Sequence, residues 1–201
     1  MFFEVSMRLL VTLLLVQFFI GACDSSEPSL DQIISDAESN AAQRQISEIV
    51  AKCDSESNSQ EVALTYNALK VAVGAEDCLG LAGEIVKTRE LNMSNASVLD
   101  LTPLVDFKNL SVIDLSNNRI VDISPLSVLR NLSSLNLDRN AISDITPLSE
   151  MITLADFSIA NNEIVDISPI GNLYNLLSLN LSNNSIEDIS PLDGLDKLVE
   201  L

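Results

Sequence analysis

Apolar residues in the second half of the chain recur at one fixed interval. Stepping by 22 from Leu110 gives Leu132, Leu154, Leu176 and Leu198, and stepping from Ile113 gives Leu135, Phe157, Leu179 and Leu201. Leu115 continues as Leu137, Ile159 and Leu181, and Ile120 as Ile142, Ile164 and Ile186. Polar and turn-forming positions keep the same step: Asn118, Asn140, Asn162 and Asn184, then Pro125, Pro147, Pro169 and Pro191. A degenerate earlier turn fits through Leu91, Met93, Val98, Leu101, Pro103, Leu104 and Phe107, with Ala96 where the Asn should stand. An ungapped self-match at one period is the mark of a repeat whose units bury their apolar faces only against their neighbours. Within each unit, apolar residues two apart, such as Ile113 and Leu115, predict a short strand with one face inward.

Upstream, the spacing changes to that of helices. Leu30, Ile33, Ile34, Ala37, Ala41, Ile46, Ile49, Val50 and Cys53 recur at steps of three and four, on one helix face. After a Ser/Asn/Asp-rich break, Asn58 and Glu61 read as a capping box for a second helix carrying Val62, Tyr66, Leu69 and Val73, closed by Gly74. Asp77 can cap a third, short helix with Leu81, Ile85 and Val86 apolar; Gly80 and Gly83 count against it.

The pattern L-x-x-L-x-L-x-x-N-x-I-x-D-I-x-P-L-x-x-L resembles leucine-rich repeats, specifically the 22-residue internalin-like class, over Thr88 to Leu201. The resemblance implies an α/β solenoid: a right-handed superhelix with parallel strands on its concave side and 3₁₀ or turn segments on its convex side. A solenoid end exposes a cross-section of core that something must cover. Residues 30–87 are therefore expected to be an α-helical N-terminal cap, and 88–201 about five turns, the last incomplete. Leu201 falls inside a predicted strand with Ile189, Leu192, Leu195 and Leu198 on an open edge, so the chain is expected to be a fragment or truncated product, or else closed by self-association.

The N-terminus reads as a targeting segment. Arg8 precedes an apolar run from Leu9 to Ala22, too short to span a membrane as a helix. The run ends Ile20-Gly21-Ala22-Cys23, which resembles the bacterial lipobox; this implies a signal peptide over 1–22, lipidation (palmitate among the acyl groups) at Cys23 and a polar tether over 23–29. The alternative is an ordinary signal peptide with an incidental Cys. In an exported protein the remaining pair, Cys53 and Cys78, reads as a disulfide, the alternative being two buried free thiols.

Charge and composition narrow the function. A net charge of −18 excludes a nucleic-acid partner and electrostatic docking on an anionic membrane. With no His and two Cys beyond Cys23, neither a His-based catalytic triad nor a metal site is expected. No phosphate-binding loop or nucleophile elbow occurs, so the expectation is a non-enzyme without cofactor, metal or small-molecule substrate. The column Asp100, Asp122, Asp144, Asp166 and Asp188 could be a cation ladder. The better reading is an Asx-turn, each Asp accepting the N–H two residues on, before a Ser or Thr that caps a turn with Pro first inside it. Each repeat Asn is expected to bond backbone of its own and the next turn. Sequons such as Asn109-Leu110-Ser111 and Asn131-Leu132-Ser133 follow from the repeat and carry no signal in a bacterial lipoprotein.

The remaining candidate site is the concave strand face, binding a partner protein through Glu90, Asn92, Val112, Asp114, Ser134, Asn136, Asp138, Asp156, Ser158, Ser178 and Asn180, with Ser94, Ser116, Ala160 and Ser182 also outward. It is small, polar and acidic and lacks the aromatic and Arg anchors that dominate interfaces. Localisation in the bacterial cell envelope follows, lipid-anchored and facing the periplasm or exterior. The alternatives are the targeting part of a larger exported enzyme or adhesin, and a structural envelope protein.

Overall fold

The computed structural model describes residues 30–55 and 58–201, with the side chains of 30–38 left aside. The predicted signal peptide, Cys23 and tether lie outside the described residues. The chain divides into two units, Met1–Ala42 and Gln43–Leu201. Helix α1, Leu30–Cys53, begins in the first and ends in the second.

In the second unit, α1 is followed by α2, Gln60–Val73, and α3, Cys78–Ile85. Their apolar faces enter the core through Ile49, Tyr66, Leu69, Leu81, Ala82 and Ile85. The expected capping box at Asn58 is not formed. Ser59 caps α2 by accepting the Val62 N–H, and Asn58 instead donates to the Lys52 carbonyl, tying the end of α1 to the start of α2. Gly74 ends α2 at φ 71°, as expected of a left-handed stop. Asp77 caps α3 through the Gly80 N–H at 2.7 Å, so the helix forms despite two glycines. Val86, expected on its apolar face, lies just past its end and is exposed. Among the described residues no helix is long and apolar enough to cross a membrane.

The repeat folds as a solenoid. Five strands, β1 Glu90–Asn92, β2 Val112–Asp114, β3 Ser134–Asn136, β4 Asp156–Ser158 and β5 Ser178–Asn180, pair in sequence order, all parallel. Each residue faces its 22-residue equivalent, for example Ile113 with Leu135 and Leu135 with Phe157. Across from the strands lie five 3₁₀ turns: η1 Thr102–Asp106, η2 Ser124–Val128, η3 Thr146–Leu148, η4 Ser168–Asn172 and η5 Ser190–Gly194. Between the two layers the Leu and Ile columns form one continuous core that the cap helices extend.

Two polar ladders hold the turns in register. Asn140 donates to the carbonyls of Leu137 in its own turn and Leu115 in the preceding one, and accepts the Ile120 N–H. Asn162 and Asn184 repeat the arrangement, and Asn118 accepts both Ala96 and Val98 N–H groups. The bonds thus run to the preceding turn, not the next one. In the second ladder Asn109, Asn131 and Asn175 donate to carbonyls of Val86, Lys108 and Ile152, and Thr153 does the same to Arg130.

The Asp column forms the Asx-turns its spacing predicts. Asp100, Asp122, Asp144, Asp166 and Asp188 accept from the backbone N–H two residues on at 2.7–2.9 Å. This alters the expected cap. Because Asp has satisfied its N–H, the Ser or Thr is the first residue of the 3₁₀ turn, Pro follows it, and the preceding Leu or Ile stands at the cap position.

Candidate functional site: the strand face and its edges

Strand alternation puts one residue of each three inward and leaves two outward. Leu91, Ile113, Leu135, Phe157 and Leu179 are buried; their neighbours form two outward rows. The first row is Glu90, Val112, Ser134, Asp156 and Ser178, and the second Asn92, Asp114, Asn136, Ser158 and Asn180. Glu90, Asn92, Asp156 and Asn180 are exposed, and Val112, Asp114, Ser134, Asn136, Ser158 and Ser178 half-buried. The structure therefore brings all ten of these residues onto one face, with the exposed groups on turns one, four and five.

The third expected row is different. Ser94, Ser116, Asp138, Ala160 and Ser182 lie beyond the strands, and Ser116 and Ala160 are buried. Side chains of the second row fold over these backbone positions: Asn92, Asp114, Asn136 and Asn180 each accept the N–H two residues on. Ser158 replaces an amide or carboxylate in that row. There Asp138 reaches across from the preceding turn, accepting the Ala160 N–H at 2.7 Å and the Ser158 hydroxyl at 2.6 Å. Asp138 is thus a structural acceptor, and Asp114 is partly committed; Asp156 has its carboxylate in solvent.

Next along the chain comes a column of residues in the left-handed region: Asn95, Asn117, Arg139, Asn161 and Asn183, at φ 55–57°. Asn tolerates that conformation through local side-chain bonding, which explains four of the five positions. At the opposite, N-terminal ends of the strands, Ile152, Tyr174 and Leu177 are exposed. Sequence reasoning overlooked these, because it sought anchors only among the strand residues.

Cys53 and Cys78 are bonded, with Cα atoms 5.8 Å apart, joining the end of α1 to the start of α3. Asp54 lies beside the two sulfurs, but sulfurs joined to each other offer no thiolate for a metal.

The repeat register is matched by sequence comparison: the family described as Leucine Rich repeats (2 copies) matches residues 108–150 and 153–201. The matched residues are leucine-rich repeats. No curated protein matches it in sequence. Among solved structures, the leucine-rich-repeat solenoid is similar to an internalin from Listeria monocytogenes, at 27% identity and TM-score 0.64, over 78% of this chain and 44% of that one. The chain thus spans less than half the length of that internalin. Internalin C2 from the same organism aligns at 26% identity and TM-score 0.48, over 78% of this chain and 85% of its own. The leucine-rich-repeat ectodomain of a plant membrane receptor kinase from Arabidopsis thaliana, solved in complex with Casparian strip integrity factor 2, aligns at 27% identity and TM-score 0.53, over 60% of this chain and 16% of that one.

Proposed function

We propose that the chain is an exported, membrane-anchored module of the bacterial cell envelope that binds a partner protein through the concave face of its strands. The observation that carries this is the in-register parallel sheet, which repeats each outward position once per turn so that one partner can touch many turns. Support comes from the plant receptor ectodomain, a leucine-rich-repeat structure solved with a bound partner. The acidity of the face selects a cationic partner, whose approach is accelerated by attraction and weakened by salt. The anchor is Cys23, at the end of an apolar run. Mass spectrometry of the mature N-terminus should find Cys23 acylated; an unmodified Cys23 removes the anchor from the proposal.

The binding test is a pull-down from envelope extract using the parent and an Asp114→Asn, Asp156→Asn variant. Asp138 is left in place because it supports the fold. Asn keeps the acceptor oxygen that Asp114 offers Ser116, so the variant should melt like the parent. It should bind the captured partner more weakly and with a shallower salt dependence. Equal capture by parent and variant would move the site off this face.

A further inference from the structure

Ile152 and Tyr174 occupy the same repeat position one turn apart, just before the strands, and both are 56% exposed. Leu177, three residues after Tyr174, is 45% exposed. The backbone places them side by side: Asn175 donates to the Ile152 carbonyl at 2.7 Å, and the Leu177 N–H to the Ala155 carbonyl at 2.8 Å. The fold does not require apolar groups here. The equivalents of Ile152 and Tyr174 on earlier turns are Lys108 and Arg130, and those of Leu177 are Ser111, Ser133 and Ala155. Those turns keep the same register and ladder, so the position accepts charge, and the change to apolar on turns four and five is a property of the surface. Contiguous exposed apolar area of this kind marks an interaction site.

The border of the strip is acidic. Asp156 follows Ala155 into β4, Glu200 bonds alongside Ser178, and Asp196 stands one turn on from Tyr174. Two cations on neighbouring turns are already engaged: Arg130 is paired with Glu150, and Lys197 donates to Asn175 at 2.6 Å. We infer that Ile152, Tyr174 and Leu177, bordered by Asp156 and Glu200, form a docking strip for a partner segment with apolar side chains flanked by Lys or Arg. It would seat the apolar groups on the strip and its cations on the carboxylates and against the exposed Tyr174 ring. A second copy fits poorly, since it would set the same acidic border against itself in a chain of net charge −18. The inference rests on the reading of the chain as a protein-binding module and supplies the aromatic anchor that the strand rows lack.

The probe is a synthetic amphipathic peptide of leucine and lysine, titrated into the intact protein by fluorescence anisotropy, beside a serine-for-leucine and a glutamate-for-lysine peptide. The parent should bind the first and neither control. Ile152→Ser with Tyr174→Ser should weaken binding about tenfold or more with melting unchanged. Glu200→Gln should weaken it and reduce its salt dependence. Val71→Ser, on the exposed side of α2 away from both the strip and the strand face, should leave it unchanged. The inference is overturned if the parent ignores the peptide, if the serine control binds equally, or if the double variant binds as the parent does. It is also overturned if sedimentation shows a dimer that the double variant disperses, since the occupant is then a second copy. Loss of peptide binding in Asp114→Asn alone would favour the strand face over its edge.

Discussion

Arg139 is the one non-Asn residue in the left-handed column that runs from Asn95 to Asn183. Its side chain lacks the short amide that makes this conformation inexpensive, so Arg139→Asn should stabilise the fold by about 0.5–1 kcal/mol. Chemical denaturation resolves that, and a loss of stability would show that the Arg side chain has a role of its own. The opposite effect is expected at Asn140. Asn140→Ala leaves the Ile120 N–H and the Leu115 and Leu137 carbonyls short of partners inside the stack, a cost of about 2–4 kcal/mol. The sequence exposed the Asn118 column because its side chains are invariant at one period. It hid the left-handed column, since Arg139 breaks the pattern and backbone dihedrals leave only a statistical trace in residue choice. The ladder of Asn109, Asn131 and Asn175 was equally present in the sequence, but there Asn109 and Asn131 read as sequons that follow from the repeat.

At the scale of the element, the strands and 3₁₀ turns lie where the period puts them, yet the polar detail of the turns differs from simple capping. The Asp two residues ahead of each turn is the group that organises it. In Asp122 and Asp144 the Ser124 and Thr146 hydroxyls, followed by the backbone N–H, hold the carboxyl below its ordinary value of 3.8; in Asp188 the Ser190 N–H leads and the hydroxyl follows. A carboxyl whose folded pKa is lowered adds stability above its unfolded pKa and loses it as pH falls through the folded value. These turns should therefore loosen below about pH 3.8, not near neutrality. Exchanging all three Asp for Asn keeps the acceptor oxygens and removes the titration. The acid limb of a stability–pH curve should then be shallower than the parent's; an identical limb would assign acid unfolding to other carboxylates. On the strand face the two outward rows were legible from alternation alone. The third was not, because three-residue strands end before it and let Ser116 and Ala160 turn inward.

For the whole molecule, the stack has one end covered by helices whose ends are tied by Cys53–Cys78, 25 residues apart in sequence. Closing a loop of that size restricts the unfolded chain, so Cys53→Ser with Cys78→Ser should cost about 3 kcal/mol. Native-state hydrogen exchange should show the loss first in α1 and α3, with β3 and β4 affected least, because each turn contacts only its neighbours. Uniform acceleration would mean that cap and repeats unfold as one. The pairing of the cysteines was legible from the expected compartment, whereas the exposed edge at Ile152 and Tyr174 was not, since period alone does not say which non-core positions face outward together. The same ladders also bear on how such a chain can change length. The Asn-ladder bonds that leave a turn all run to the turn before, so a whole unit can be copied or lost and the survivors meet equivalent partners, while a unit one residue longer or shorter breaks that match. Asp138 breaks that interchangeability. It reaches forward to Ser158 and Ala160, and a duplication falling between turns three and four would separate an acceptor from the donors it was matched to. Gene rearrangement carries an added cost at that seam.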